Sequence, residues 1–138
     1  MNAEDRAFLA ALEDCSLDPA RFNHVGHVRA AWLCLRCYGL VPGAARFHSA
    51  LIRYATHLGA AGKYHATITE ALLRLIARDM NEAETADFGA FTTAHPALFG
   101  DVRSLLLRHY SPERLDSEAA RRGFLAPDRE PFVELDKV

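Results

Sequence analysis

The sequence predicts an all-α fold: a helical bundle of four main helices with short additional helices and an extended C-terminal tail, forming a single helical domain over residues 1–138. Three observations lead there. Apolar residues recur at three- and four-residue spacing along most of the chain, no stretch reads as a defensible strand, and Gly or Pro signals mark short breaks between the periodic segments. Half of the 138 residues are apolar, enough for a chain of this length to bury about two-thirds of the surface it exposes when unfolded.

The elements follow in order. Phe8, Leu9 and Leu12 sit at helical spacing in residues 3–14, and Asp18-Pro19 then supplies a cap and first-turn signal. A second helix spans Arg21 to Tyr38 and stops at Gly39. The third, VPGAARFHSALIRYATHLG, carries Phe47, Leu51, Tyr54 and Leu58 as one stripe. A fourth runs from Tyr64 to Met80 with Ile68, Leu72, Leu75 and Ile76 inward and Arg74 and Arg78 toward water. A weaker fifth segment covers Glu82 to Thr93, with the acidic stretch from Asn81 to Asp87 as its solvated start, and ends before His95-Pro96, because a residue preceding proline is pushed out of the α region. Asp101 to Tyr110 makes a sixth helix, and Ser111-Pro112-Glu113 starts a last one ending near Gly123. FLAPDREPFVELDKV has two prolines and no period, as expected of a strap across the surface.

Charge and composition narrow the function classes. Sixteen Lys and Arg against 18 Asp and Glu leave a net charge of −2, without the basic footprint of a nucleic-acid binder. No apolar run approaches the roughly 20 residues of a bilayer span, and MNAEDRAFLAALED is acidic where a signal peptide is basic. The expectation is a cytoplasmic protein with no nucleic-acid or membrane partner; its oligomeric state is not encoded. Three cysteines, an odd number, fit reduced thiols.

The chemistry is expected where histidines enter the core. On the second helix His24, His27, Ala31, Cys34, Leu35 and Tyr38 form one stripe, and on the fourth His65 lies three residues before Ile68. Two short connections make the second and fourth helices parallel, so His24, His27 and His65 are expected at one end, within the 8 to 10 Å that separates packed helices. His57 and His95 fall at that same end, His48 and His109 at the other. Three inward imidazoles on two helices suit a divalent transition metal with open positions, and His57, His95 or Asp101 is a candidate fourth ligand. Without metal, two converging helix N-termini favour an anion, with the histidines as general acid and base.

The pattern F-x-H-x-x-H-V-R-x-A-W-L, followed by K-Y-H-x-T-I-T and H-Y-S-x-x-x-L-x-S-x-x-A-R-x-x-F-x-x-P-D, covers Phe22 to Asp128. It resembles a family of small, largely uncharacterised bacterial helical proteins. In that family's pattern an aspartate often precedes the second histidine and a glutamate follows the histidine of K-Y-H; Gly26 and Ala66 stand there in this chain. The resemblance thus implies a ligand set poor in carboxylate, and three neutral imidazoles favour zinc or copper, with iron possible.

Other features carry less. Cys34 and Cys37 have CxxC spacing but lie mid-helix and read as packing residues, as does Trp32. Lys63, Tyr64 and Arg29 are candidate contacts to an anionic or phenolic substrate, and Arg121 and Asp128 are expected to hold the tail. The expected function is a metal-dependent enzyme for a small-molecule substrate, with His24, His27 and His65 as ligands and Tyr64, Thr67 and Thr69 orienting the substrate. A non-catalytic ligand- or metal-binding protein with structural histidines is the alternative from another class.

Overall fold

The computed structural model describes residues 1–134. Their regular structure is all helical, with eight α-helices, three short 3₁₀ turns and no strand among the described residues. The chain divides into two compact units, Met1–Tyr64 and His65–Val138.

In the first unit, α1 (Ala3–Glu13) starts at Asn2, whose side chain accepts from the Asp5 N–H, and buries Phe8, Leu9 and Leu12. Asp18 caps a 3₁₀ turn at Pro19–Arg21. The second helix, α2 (His24–Tyr38), begins two residues beyond that turn, with Asn23 accepting from the Gly26 N–H. It is buried almost all round, from Ala30 through Leu35 without a gap. The expected stripe therefore needs correction: His24 and Tyr38 at its two ends are exposed, while Val28, Trp32 and Leu33, outside it, are buried.

A single residue, Gly39, with φ 88°, joins α2 to α3 (Leu40–His57). That φ lies in the left-handed region open to glycine at little cost. Helix α3 starts earlier than expected because Pro42 falls in its first turn, where a missing N–H costs nothing. At Gly43 a Cβ would stand 2.4 Å from the Cys34 carbonyl oxygen, so the absence of a side chain sets how closely the two helices pack. Phe47, Leu51 and Tyr54 are buried as the stripe predicts; Leu58, past the helix end, is exposed. The Tyr54 hydroxyl donates to the Leu17 carbonyl at 2.7 Å, and Arg29–Asp5 and Arg46–Glu13 ion pairs tie α1 to α2 and α3.

In the second unit, α4 (Ala66–Glu82) is the long element. Leu72, Leu75 and Ile76 are buried as expected and Arg74 is exposed, but Ala71, Leu73 and Ala77 are buried as well. The fifth helix is shorter than its pattern: α5 (Phe88–Ala94) starts at Asp87, which accepts from the Ala90 N–H. The acidic stretch is thus no helix start; it closes α4 and turns through extended Ala83 before Asp87 caps α5. A 3₁₀ turn at Pro96–Phe99 leads to α6 (Val102–Leu106), and the expected last helix splits into α7 (Pro112–Leu115) and α8 (Glu118–Arg122), each with a serine cap.

The tail is a strap held by backbone partners. Ser111 donates to Asp128 from both N–H and Oγ, the Tyr110 hydroxyl donates to the Leu125 carbonyl, and the Arg129 and Glu130 N–H groups donate to the carbonyls of His109 and Arg108. Asp128 holds the tail as expected; Arg121 pairs with Glu118 of its own helix. The last residues assigned to the strap, 135–138, lie outside the described residues.

Candidate metal centre

The histidines singled out by spacing divide between the two units, and their surroundings differ. His24 is exposed at the first position of α2. His27, one turn on, is half-buried with its ring stacked on Phe22 at 4.0 Å. Burial, followed by the charge of His24, pushes its pKa from 6.5 down to about 4, so at neutral pH it is an uncharged ring in an aromatic stack. His65 is the N-cap of α4: its Nδ1 accepts from the Ile68 N–H at 3.0 Å, and its Nε2 lies 2.9 Å from the Leu115 carbonyl oxygen. A carbonyl only accepts, so Nε2 carries the proton and both ring nitrogens are engaged. That leaves no lone pair for a metal, and a capping role stands where a ligand role was expected.

The expected substrate-orienting residues are also occupied. The Thr67 hydroxyl donates to the Gly123 carbonyl and accepts from the Leu125 N–H, fastening the strap to α4. Thr69 is buried. The Tyr64 hydroxyl meets His48 Nδ1 at 2.7 Å. Asp101, a candidate fourth ligand, caps α6 by accepting from both the N–H and the Oγ of Ser104. Gly26 has a steric reason: a Cβ there would lie 2.4 Å from the Arg21 carbonyl oxygen, so a side chain has no room beside this turn. Burial raises the Cys34 thiol to about 12, which makes it an inert packing group.

The ligand types that do converge are Asp79, Glu82 and His95, whose donor atoms all lie within 4.8 Å of one another, the one such group of three among the described residues. The first two are i, i+3 on the last turn of α4 and so share a face. Asp79 continues the buried series Leu72, Leu75, Ile76 and is itself only 6 % exposed. His95 is delivered by the C-cap of α5, where its N–H donates to the Phe91 carbonyl and its ring leans on Phe91 at 4.9 Å.

The electrostatics favour a cation. Asp79 and Glu82 add negative charge at a helix C-terminus that has no basic residue in its last turn, where the macrodipole already repels anions. Arg78 Nε donates to Asp79 Oδ1 at 2.9 Å, while Asp79 Oδ2 faces His95 Nδ1 at 3.6 Å. The latter gap is too long for a hydrogen bond. It suits two ligands sharing an ion at bond lengths of about 2.0 to 2.2 Å. An ion on His95 Nδ1 would leave Nε2 as it stands, buried without a hydrogen-bond partner. Beside the group, Arg78, Asp79, Asn81, Glu82 and Val133 border an open depression of about 420 Å³.

No family model, curated protein or solved structure matches the chain. Among the described residues no helix is long and apolar enough to cross a membrane.

His95 was expected at the end of the fourth helix where His65 lies, but it meets Asp79 and Glu82 at the opposite end of α4 from its His65 cap, and neither carboxylate was among the expected ligands. The signal was present: Leu72, Leu75, Ile76 and Asp79 keep one helical stripe, and an acid that extends an apolar stripe needs a partner.

Proposed function

We propose that this protein is a metal-dependent enzyme acting on a small molecule, with a divalent ion held by Asp79, Glu82 and His95. The observation that carries the reading is the approach of three ligand atoms of these residues to within 4.8 Å, at a helix end where two carboxylates face one arginine partner. Two carboxylates and one imidazole form a mixed oxygen and nitrogen set, which moves the preferred ion from the zinc or copper of an all-imidazole site toward zinc, manganese or iron. The flanking depression leaves room for water or substrate on the ion, as catalytic sites require and closed structural sites do not. The ion would polarise a substrate oxygen or activate a bound water. Arg78, by fixing Asp79 Oδ1, keeps Oδ2 turned toward His95, the role of an outer partner that orients a ligand.

The test is metal analysis and titration of protein purified without a histidine tag. About one equivalent of ion is expected, lost in His95→Ala and Asp79→Asn with the helical spectrum retained, and kept in His27→Ala. Stoichiometry that survives both of the first two variants would remove these residues from any centre. The Asp79–His95 pair also supports a second reading, a metal-free acid and base in which the carboxylate orients the ring; failure to bind any divalent ion, with a pH-dependent activity abolished by His95→Ala, would select it.

A further inference from the structure

Next to the proposed centre lies a second groove, of about 400 Å³, and Arg78 and Val133 border both hollows. One wall is α4, which contributes Arg74, Leu75 and Arg78; the other is the strap from Glu130 to Val133 with His109 beneath it. The volume is that of a small-molecule pocket. Its polar groups are held in place before any ligand arrives. Arg74 Nε is paired with Glu70 at 3.0 Å, and its guanidinium lies over the Phe124 ring at 4.5 Å and the Phe132 ring at 5.7 Å. Arg78 is paired through Nε with Asp79. Both arginines thus spend Nε on a carboxylate, and their Nη groups are the donors suited to a forked contact with an oxyanion. The floor is apolar and flat: Phe132 stacks on His109 at 4.3 Å and 18°. His109 Nδ1 donates to the Glu130 carbonyl at 2.7 Å, so in the neutral ring Nε2 is left as an acceptor.

We propose that this groove seats the substrate of the metal centre, and that the substrate is an amphiphilic anion: an oxyanion group received by Arg74 and Arg78, on a small apolar body lying against Phe132. The assignment names the substrate class of the centre proposed above and rests on that reading. Charge explains why the two belong together. Glu70, Asp79 and Glu130 offset the two arginines, so the groove alone has little net attraction for an anion. An ion on Asp79 Oδ2 would offset that carboxylate's charge while Arg78 Nε keeps its contact to Oδ1, leaving the groove more positive, so metal and anion are expected to bind cooperatively.

The test uses the full chain, with chemical-shift mapping and calorimetry, with and without Zn²⁺. Benzoate and phenylphosphonate carry the body with two different heads; acetate carries a head alone. The expected result is that at least one of the two aromatic probes binds about tenfold or more tighter than acetate. Shifts should centre on 74–78, 109 and 130–133, and affinity should rise when Zn²⁺ is present. Arg74→Gln should weaken the aromatic probe about tenfold by removing a charge-assisted contact, while Zn²⁺ stoichiometry is unchanged; Arg74→Lys, which keeps charge but loses the flat stacked fork, should weaken it as well. Zn²⁺ binding without any groove shifts up to tens of millimolar probe, or shifts indifferent to Arg74→Gln, would overturn this assignment and leave the centre standing. Groove binding by the probes without binding of Zn²⁺, Mn²⁺ or Fe²⁺ would overturn the centre, and with it the claim that the groove's ligand is the substrate of a metal site.

Discussion

His27 in the first unit and His95 in the second are both largely withdrawn from water, yet their neighbours are opposite in kind. His27 has Phe22 against its face and feels the charge of His24; burial drives it neutral down to about pH 4. His95 has Phe91 on one side and the buried Asp79 carboxylate on the other, with Glu82 in reach. Desolvation alone turns an imidazole into a flat apolar filler, whereas desolvation beside carboxylates makes a set of lone pairs that a cation can satisfy. Burial of a histidine is therefore weak evidence for chemistry, and the partner's charge decides.

The contrast breaks first at the metal. His95→Ala is expected to lower divalent-ion affinity by at least about a hundredfold, the effect of removing one ligand of three, and His27→Ala to leave it unchanged, both read by competition titration with a chelating dye. Equal losses in the two variants would erase the distinction between the units.

Next in size is the turn before α2. Gly26→Asp drives a Cβ against the Arg21 carbonyl oxygen and is expected to cost on the order of 3 kcal/mol by overpacking rigid backbone, with no gain of metal; urea denaturation checks it.

The pH dependence of stability sharpens the His27 half. The folded ring titrates near 4 and the unfolded one near 6.5, so between those values the unfolded chain binds more protons. Stability contributed by the neutral ring is whole above about pH 6.5 and falls as the pH drops toward 4, by on the order of 2 kcal/mol after allowance for partial solvent screening. His27→Leu should flatten that part of the profile, measured as the urea midpoint from pH 7 to pH 4.

The smallest effect belongs to the cap. His65→Ala removes the acceptor for the Ile68 N–H and the donor to Leu115; it should cost about 1 kcal/mol, with part recovered in His65→Asn, and leave metal stoichiometry unchanged.

Why spacing found the helices but scattered the site follows from particular residues. Asp18, Ser111 and Pro112 mark starts because capping is a contact within three residues of chain. Gly39 ends α2 for an equally local reason. The acidic run before Asp87 misled because two adjacent boundaries, the end of α4 and the cap of α5, share one composition. His65 was legible as inward but not as a cap, since its second bond reaches Leu115, 50 residues away. Thr67 was expected to orient a substrate, but its hydroxyl is taken by Gly123 and Leu125, which come from a strap without any period to place it.

From its residues alone, this chain determines that it is helical, where most helices begin, and that histidines enter buried surface, because periodicity and capping act within one or two turns. Tertiary structure decided which side of α2 is covered, why Gly26 admits no side chain, and that His95 meets Asp79 and Glu82. Those outcomes depend on which distant backbone and side-chain atoms arrive beside each group, and close packing lets a difference of an ångström choose between a stacked ring, a cap and a ligand.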